Sequence, residues 1–339
     1  MAPIKRLLAP LTLASFTAIA GCAQLSAQSA AAITPPASLY DRVLIDSQKA
    51  QAINLSLLAD RLAQADVVVI GEYHGHQASH LLQARLQQHL HRIHPSQVLS
   101  LEQFTIDHQT ELDEYLAGNT GETEMLEDAQ GWDNYRGSYR PLVEYARHHD
   151  LPVIAANAPA QVVRCVGRTG PGYLDRLPSE QRLSLPAQPF LDTPAYREKF
   201  KTAISGSHGT GDPAMAERMD NTYKAQLLRD NTMAMRILQA RDDYPEHQIV
   251  HLTGTFHSEE RLGTVALLEQ LAPDLSVVVI SPVFWPADSS APPLAGNLGK
   301  GDYVYLIQPL PPEYRDRNRQ LSAMQERFSS RPDTSCDTD

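Results

Sequence analysis

The sequence is short of the residues that mark thiolate-metal, redox and nucleic-acid-binding proteins. Only 3 of its 339 residues are cysteines, and no C-x-x-C pair is present, which disfavours a site with thiolate ligands. Lysine and arginine number 29 against 40 acidic residues, and the formal charge is −11 without any basic run. That balance disfavours nucleic acid as the main partner. The zinc-protease motif H-E-x-x-H and the serine-hydrolase motif G-x-S-x-G are absent as well.

The N-terminus has the composition of a secretory signal. Two basic residues precede a mostly apolar stretch, Leu7–Ala20, which is too short to span a bilayer comfortably. The end of this stretch resembles a bacterial lipobox, with Cys22 as the lipidated residue; the alternative is an ordinary signal peptide and a chance cysteine. We therefore expect a signal peptide at 1–21 and a flexible tether at 22–38. The expected location is the bacterial cell envelope, lipid-anchored at the outer membrane.

Two distant segments share one pattern, a buried strand followed by Gly-x-x-His. In the first, the unbroken β-branched run Val67–Ile70 leads into G-E-Y-H, which ends at His74. In the second, Ile249–Leu252 leads into T-G-T-F-H, which ends at His257. Short runs of this kind are typical of strands buried on both faces of a parallel sheet. Because ligands gather where such strands end, we expect the two histidines to face a common cleft.

Further apolar runs alternate with helical patterns along the chain. The strands that they predict are Arg42–Ile45, Gln97–Leu101, Leu151–Ala155, Leu275–Ile280 and Tyr303–Ile307. This alternation predicts an α/β fold, a mostly parallel sheet covered by helices on both faces. Proline, glycine and polar residues interrupt the pattern at about 160–215, which we interpret as a helical insertion beside the site. The expected domain is 39–310, followed by a polar tail at 311–339.

Histidine and glutamate at the strand ends could form a metal site. Glu72 and Glu102 each lie at the end of a predicted buried strand, and His74 and His257 each follow such a strand. Two imidazoles with one or two carboxylates could bind a divalent ion and leave water as the nucleophile. The alternative is that His74 and His257 cap helices and hydrogen-bond the edge of the sheet.

The helix that follows the first Gly-x-x-His unit is rich in histidine. His76 and His80 lie four residues apart, hence on one helix face, where they could hold a metal ion. We expect most of these histidines to form a solvated face instead.

The segment from Gly131 to Arg140 combines aromatic and guanidinium groups. It contains Trp132, Tyr135, Tyr139, Arg136 and Arg140. Such groups suit a flat anionic ligand such as a porphyrin, with stacking for the ring and ion pairs for its carboxylates. A tyrosinate oxygen beside cations would also suit ferric haem. Tyr223 and Lys224 form a second candidate pair, and the alternative for each residue is simple closure of the core.

Six motifs occur in a fixed order along the chain. They are V-V-I-G-E-Y-H-G-H, S-L-E-Q-F, W-x-x-Y-x-x-x-Y, V-I-A-A-N-A-P, A-Q-L-L-R-D-N-T-M-A and H-L-T-G-T-F-H. Together they resemble the ChaN family of haem-binding bacterial lipoproteins, in the wider Tiki/TraB-like superfamily. The resemblance covers about Leu39–Pro282, with a poor match over Ala160–Met215.

The resemblance implies an iron-regulated, outer-membrane-associated lipoprotein involved in haem uptake. In the characterised member of the family, a dimer encloses two face-to-face haems. A tyrosine of one subunit ligates each iron, and a histidine and a lysine of the other subunit hold the propionates. The candidates in this chain are Tyr139 or Tyr223 for the iron, with Lys199 or Lys224 and one of His74 or His257 for the propionates.

The superfamily also implies an alternative activity. Some of its members are metal-dependent proteases with paired G-x-x-H motifs and a glutamate, a pattern that His74, His257 and Glu102 match. From the ChaN resemblance we expect a haem-binding protein that is not an enzyme. The protease pattern gives a metal-dependent hydrolase as the alternative. The expected partners are haem, a membrane, a second copy of the chain and a haem receptor or transporter. A disulfide between Cys165 and Cys336 would suit an oxidising periplasm, although no spacing predicts it.

Overall fold

Residues 33–205, 213–329 and Cys336 are described by a computed structural model of the chain. The strands of these residues form one sheet of eight: β1 (Val43–Asp46), β2 (Gln51–Ile53), β3 (Val67–Glu72), β4 (Gln97–Thr105), β5 (Val153–Asn157), β6 (Gln248–Gly254), β7 (Val277–Phe284) and β8 (Tyr303–Ile307). The order across the sheet is β2-β1-β8-β7-β3-β6-β4-β5. Strands β8 to β5 in this order are parallel, and β1 is antiparallel to both its neighbours. The prediction of an α/β fold with a mostly parallel sheet is therefore confirmed.

Helices cover both faces of this sheet, as predicted. They are α1 (Leu55–Leu62), α2 (Gln77–Ile93), α3 (Gln109–Leu116), α4 (Glu122–Asp128), α5 (Tyr135–Ser138), α6 (Arg140–His148), α7 (Ala160–Thr169), α8 (Ser179–Ser184), α9 (Pro194–Ser205), α10 (Pro213–Asp243), α11 (Thr264–Leu271) and α12 (Arg317–Ser329). Side chains alternate along β3: Val68 and Ile70 pack with α1, α2 and α6, whereas Val67 and Val69 pack with α10 and α11. Burial on both faces explains why β3 is a continuous apolar run.

The register of the sheet brings the ends of β3, β6 and β4 together. Glu72 at the end of β3 pairs with Gly254 at the end of β6. On the other side of β6, Leu101 pairs with Leu252, so the next residue of β4, Glu102, lies at the same edge. The chain segments that leave β3 and β6 consequently start from neighbouring points.

Several elements depart from the sequence prediction. Strand β4 continues to Thr105, so Glu102 lies within it rather than after it. Strand β2 is a short, largely exposed edge strand without an apolar run, which is why its sequence does not predict it. Helix α12 lies in the predicted polar tail, and its described side chains are mostly exposed. The predicted insertion is helical up to Ser205, and 206–212 lie outside the described residues.

Cys165 of α7 and Cys336 near the C-terminus form a disulfide. No helix within the described ranges has the length and apolarity needed to cross a membrane. The predicted signal peptide, Cys22 and the first part of the predicted tether fall within residues 1–32, which lie outside the described part of the chain.

Candidate functional site

A cleft of about 630 Å³ opens where β3 and β6 end. Its lining comes from the ends of β3, β6 and β7, from helices α9 and α10, and from the segment after β8: Glu72, Tyr73, His74, Phe200, Ala203, Ile204, Gln226, Gly254, Thr255, Phe256, His257, Phe284 and Leu310. The aromatic and aliphatic members form the walls. The histidines and Glu72 form a polar floor.

The first half of the floor is a pair formed by Glu72 and His74. Glu72 is almost fully buried, and its Oε1 accepts a hydrogen bond from His74 Nδ1 at 2.7 Å. Gln83 Nε2 donates to its Oε2 at 2.5 Å, and the Tyr139 hydroxyl donates to Oε1. These bonds fix the His74 ring by its Nδ1 side. Nε2 is therefore directed towards Gly254, where an added Cβ would lie only 2.9 Å from it.

The second half of the floor is a pair formed by Asp230 and His257. His257 Nδ1 donates to Asp230 Oδ1 at 2.8 Å, and both side chains are buried. Asp230 also accepts hydrogen bonds from the Tyr196 hydroxyl at 2.7 Å and from Thr264 Oγ1 at 2.9 Å. His257 Nε2 lies 3.6 Å from Glu102 Oε1. The second ring is thus held on both sides by carboxylates.

Glu102 connects the two halves electrostatically. Its Oε2 accepts hydrogen bonds from Thr253 Oγ1 and from the Gly254 N–H, both at 2.7 Å. Burial alone would raise its pKa, but His257, His74 and these hydrogen bonds outweigh burial and hold the pKa at about 2. Glu102 is therefore a permanent negative charge beneath the cleft.

The neighbouring carboxylates raise the pKa of both imidazoles. Burial disfavours the charged form of both rings, but the hydrogen bond from Glu72 and the charge of Glu102 raise the pKa of His74. The charges of Asp230 and Glu102 likewise outweigh burial and raise the pKa of His257. The site consequently favours the imidazolium form of each histidine.

The two histidines line one cleft, so the prediction that they converge is confirmed. Each is bonded through Nδ1 to a carboxylate rather than grouped around a common point. Within residues 33–205 and 213–329, no group of three or more His, Cys, Asp or Glu side chains is arranged to hold a metal ion. The hypothesis of a divalent metal at Glu72, His74, Glu102 and His257 therefore stays a prediction.

The histidines at the start of α2 are buried, so the predicted solvated face is wrong for them. His76 caps α2 by accepting a backbone N–H bond at 3.2 Å, and its Nε2 donates to the Gln308 carbonyl at 2.8 Å. His80 Nε2 accepts from the Gly75 N–H at 3.0 Å. The start of α2 packs against the sheet edge, and these rings satisfy backbone groups there. His76 thereby joins the start of α2 to the segment after β8, and His80 also bonds the Gln83 side chain.

The two tyrosines predicted as iron ligands are not among the described residues that line the cleft. Tyr139 is fully buried and donates to Glu72, whereas Tyr223 is buried and donates to Asp192. Burial and the adjacent carboxylate raise the pKa of each phenol far above its ordinary value of 10.0. This environment opposes formation of a tyrosinate at either position.

The predicted propionate-binding cations differ in their distance from the cleft. Lys199 Nζ lies 5.1 Å from the ring centroid of Phe256, a residue of the cleft wall. Lys224 Nζ lies 5.7 Å from the ring of Phe190, and Arg140 forms bonds of 2.5 and 2.6 Å with a glutamate of α4. Of the three, Lys199 is the one that contacts the wall.

Three residues of the site have no assigned role in the sequence prediction. Asp230 and Gln226 lie in α10, where Gln226 Nε2 is 3.1 Å from His257 Nε2. Tyr73 is half-buried in the cleft lining and stacks on Phe284, with ring centroids 4.1 Å apart. The available signal for Asp230 is a carboxylate within an apolar helical segment, A-Q-L-L-R-D-N-T-M-A.

Comparisons with known proteins agree with the fold and the motifs. The model of a family described as "Haem-binding uptake, Tiki superfamily, ChaN" matches residues 58–268. The structure titled "Cofacial heme binding to ChaN of Campylobacter jejuni" is similar with a TM-score of 0.61 and 17% identity, covering 79% of this chain and 98% of that one. A search of curated proteins gives no match.

Two further solved structures are less similar. A variant of the erythromycin esterase EreC in its open conformation has a TM-score of 0.43 and 14% identity, over 83% of this chain and 86% of that one. A succinoglycan biosynthesis protein has a TM-score of 0.42 and 12% identity, over 75% and 90% of the two chains. The family model, by contrast, spans more than half of the sequence, and the chain belongs to the ChaN family of haem-binding uptake proteins in the Tiki superfamily.

Proposed function

We propose that this protein binds haem in the cleft at the ends of β3 and β6 and acts in haem or iron uptake. The observation that supports the proposal is the composition of the cleft. Phe200, Phe256 and Phe284 supply apolar wall surface for a porphyrin, while His74 and His257 supply cationic groups at the floor. A volume of about 630 Å³ lies within the range of small-molecule and cofactor sites. Haem is the cargo of such a protein.

We propose Tyr73 as the iron ligand, ahead of Tyr139 and Tyr223. A phenolate oxygen is a suitable ligand for ferric haem. Burial raises the pKa of Tyr73 as well, but Tyr73 borders the cleft and is half-buried, whereas each of the other two phenols is buried and donates to a carboxylate. Lys199 and one of the two cleft histidines remain the proposed contacts of the propionates, because Lys199 contacts Phe256 of the cleft wall. Lys224 and Arg140 are weaker candidates because their contacts are with Phe190 and Glu122, which do not line the cleft.

Titration with haemin tests the proposal. The chain without residues 1–22 should give a red-shifted, high-spin ferric spectrum, and Tyr73→Phe should abolish it. Tyr139→Phe and Tyr223→Phe are matched controls that also remove one hydroxyl, and they should retain the spectrum. No spectral change of the unsubstituted chain at micromolar protein would discard haem binding. Loss of the spectrum in a control instead would move the ligand to that tyrosine.

We further propose that a second copy of the chain completes the pocket. The relative from Campylobacter jejuni binds haem cofacially, as its title states, and two stacked haems need two binding surfaces. Leu310 at the cleft is 38% exposed, an apolar surface that a second copy would cover. Sedimentation velocity should show a monomer without haemin and a dimer with it. A haemin-saturated monomer would reject this part.

The proposed location is the bacterial outer membrane, through a lipid on Cys22. The lipobox-like sequence supports it, and lipid attachment would keep the cleft near a haem receptor or transporter. Metabolic labelling with palmitate should mark the protein in the membrane fraction. Cys22→Ser should remove the label and release the protein, whereas Cys165→Ser should leave the label in place. An unlabelled protein would reject the anchor.

Hydrolysis is a second candidate function because of the carboxylate–imidazole pairs. Above the raised pKa of His74 the ring is neutral, and a carboxylate bonded to Nδ1 then orients an imidazole whose Nε2 can accept a proton from water, the arrangement of a general base. His74 has this arrangement at an exposed position, with 42% of its side chain accessible. Metal analysis of the purified protein separates the metal-dependent version from a metal-free one. A stoichiometric divalent ion that is absent from His74→Ala favours the metal-dependent hydrolase. Ester hydrolysis that resists chelators and is lost in His74→Ala favours the metal-free hydrolase.

A further inference from the structure

Helix α12 (Arg317–Ser329) presents an apolar face to solvent. All but one of the residues from 315 to 326 are exposed, and the apolar Leu321 and Met324 are exposed by 48% and 47%. These two residues lie three positions apart, hence on one face of the helix, and Phe328 continues the i, i+3, i+7 spacing in the sequence. Apolar side chains grouped on an exposed face are typical of an interaction surface.

The segment that carries this face is basic, although the chain as a whole is acidic. Residues 315–327 contain four arginines and two acidic residues, a net charge of +2, whereas the formal charge of the chain is −11. One of the two acids, Asp316, caps the helix, because its Oδ1 accepts the backbone N–H groups of Asn318 at 2.8 Å and Arg319 at 3.0 Å. Arginines that flank an apolar stripe are the composition of a helix that lies in the interface of an anionic bilayer.

Hydrogen bonds place the start of the described chain beside the segment that leads to α12. Gln308 Nε2 donates to the Pro36 carbonyl at 2.8 Å, and the Gln308 carbonyl accepts from His76 Nε2 at 2.8 Å. Helix α12 begins nine residues after Gln308, which limits its distance from Pro36 to about 30 Å. The proposed lipid-bearing residue, Cys22, precedes Pro36 by 14 positions. A bilayer that holds a lipid on Cys22 is therefore within reach of α12.

We propose that α12 lies on an anionic lipid bilayer, with Leu321 and Met324 in the interface and the arginines at the headgroups. A helix this short binds reversibly, so it adds a second contact to the anchor and does not replace it. Leu310, seven residues before α12, lines the cleft, so the contact holds the cleft near the bilayer surface. Transfer of haem between bilayer and cleft rests on the proposed function; the membrane contact itself does not.

Sedimentation with lipid vesicles tests the inference on the chain without residues 1–22, which keeps every described strand and helix. The vesicles are phosphatidylcholine alone or phosphatidylcholine with about 30% phosphatidylglycerol, an anionic lipid. The partition coefficient should be about tenfold higher for the anionic vesicles, and about 0.5 M sodium chloride should remove most of this preference. The double substitution Leu321→Gln and Met324→Gln should lower binding to the anionic vesicles about tenfold, because it removes the apolar contact.

Two single substitutions form a matched pair, because each removes one exposed arginine of α12. Arg317 precedes Leu321 by four positions and shares its face, whereas Arg319 precedes it by two and lies on the opposite face. Arg317→Gln should lower binding to the anionic vesicles about fourfold, and Arg319→Gln less than about twofold.

Three results would overturn the proposal: no binding to the anionic vesicles, equal binding to both vesicle types, or binding that persists in the Leu321 and Met324 double variant. Self-association without haemin that this variant loses would assign the face to a second copy of the chain and would also overturn it. Palmitate labelling and haemin titration are separate measurements. Their failure rejects the lipid anchor or the haem function and leaves the vesicle result to decide on α12.

Discussion

The Glu72–His74 pair and the Asp230–His257 pair contain the same two groups, yet solvent reaches them differently. The His74 side chain is 42% exposed, and the His257 side chain is 7% exposed. His74 has its protein hydrogen bond at Nδ1, and its ring edge lies against Trp132, 5.0 Å between centroids. His257 is enclosed between α10 and Glu102. One repeated sequence pattern has therefore produced a ring that a ligand can reach and a ring that the fold fixes.

Alanine substitution of each histidine tests this difference most strongly. His257→Ala leaves the buried Asp230 carboxylate without its cationic partner, so we expect a loss of about 3–5 kcal/mol in the free energy of unfolding. His74→Ala should cost about 1 kcal/mol or less, because water can replace the ring and Glu72 keeps its bonds to Tyr139 and Gln83. Urea unfolding at neutral pH measures both. Equal losses would mean that exposure does not distinguish the two pairs.

Acid titration tests the charge of Glu102, the buried carboxylate beside His257. Its pKa is lowered from 4.5 to about 2, so its stabilising contribution is present above pH 4.5 and is lost as the pH falls towards 2. Between about pH 5 and about pH 3, the unsubstituted protein should lose about 2 kcal/mol more stability than Glu102→Gln does. Unfolding curves across this range give the difference. Parallel curves for the two proteins would contradict the charged, hydrogen-bonded state of Glu102.

Raising the pH should lower the free energy of unfolding by a smaller amount, and the two histidines should contribute unequally to this loss. The pKa of each histidine is raised above 6.5 because the carboxylates outweigh burial. The stabilisation is therefore complete below pH 6.5 and is lost as the pH rises through the folded-state pKa. His257→Gln should flatten this decline more than His74→Gln, since solvent screens the half-exposed ring. Stability measured from about pH 6 to about pH 9 provides the comparison, and an equal flattening would contradict it.

The location of the site was within reach of the sequence. Val67–Ile70 is apolar on both faces and ends at a glycine, which predicts a central parallel strand, and β3 is that strand. The second Gly-x-x-His unit predicts a similar strand, and parallel strands expose their ends at one edge. Convergence of His74 and His257 followed from this rule, although the sequence does not supply the register of Glu72 with Gly254.

The partners of these histidines could not be read from the sequence in the same way. Asp230 lies 27 positions from His257 on a long helix, and only the packing of α10 beside β6 brings the two together. The aromatic and guanidinium neighbours of Tyr139 in the sequence predict a ligand-binding residue, but the burial of Tyr139 against Glu72 depends on how α6 meets the sheet. Hydrogen-bond partners of buried polar groups are set by tertiary packing, which local patterns do not encode.

Gly254 closely approaches His74 where the two histidine pairs adjoin. Of the changes considered, replacing Gly254 by alanine should have the smallest effect on the free energy of unfolding. A Cβ at position 254 would lie 2.9 Å from Nε2 and 3.1 Å from Cε1 of His74, atoms of a half-exposed ring that can move into the cleft. Gly254→Ala should therefore cost about 1 kcal/mol or less, in contrast to overpacking in a rigid core. The displaced ring should weaken haemin binding, however, because the floor of the cleft changes shape. Gly137→Ala is the control, since no atom lies within 4 Å of its added Cβ. A large loss of stability in Gly254→Ala would show that His74 is fixed as firmly as His257, and the contrast between an adaptable and a fixed ring would not stand.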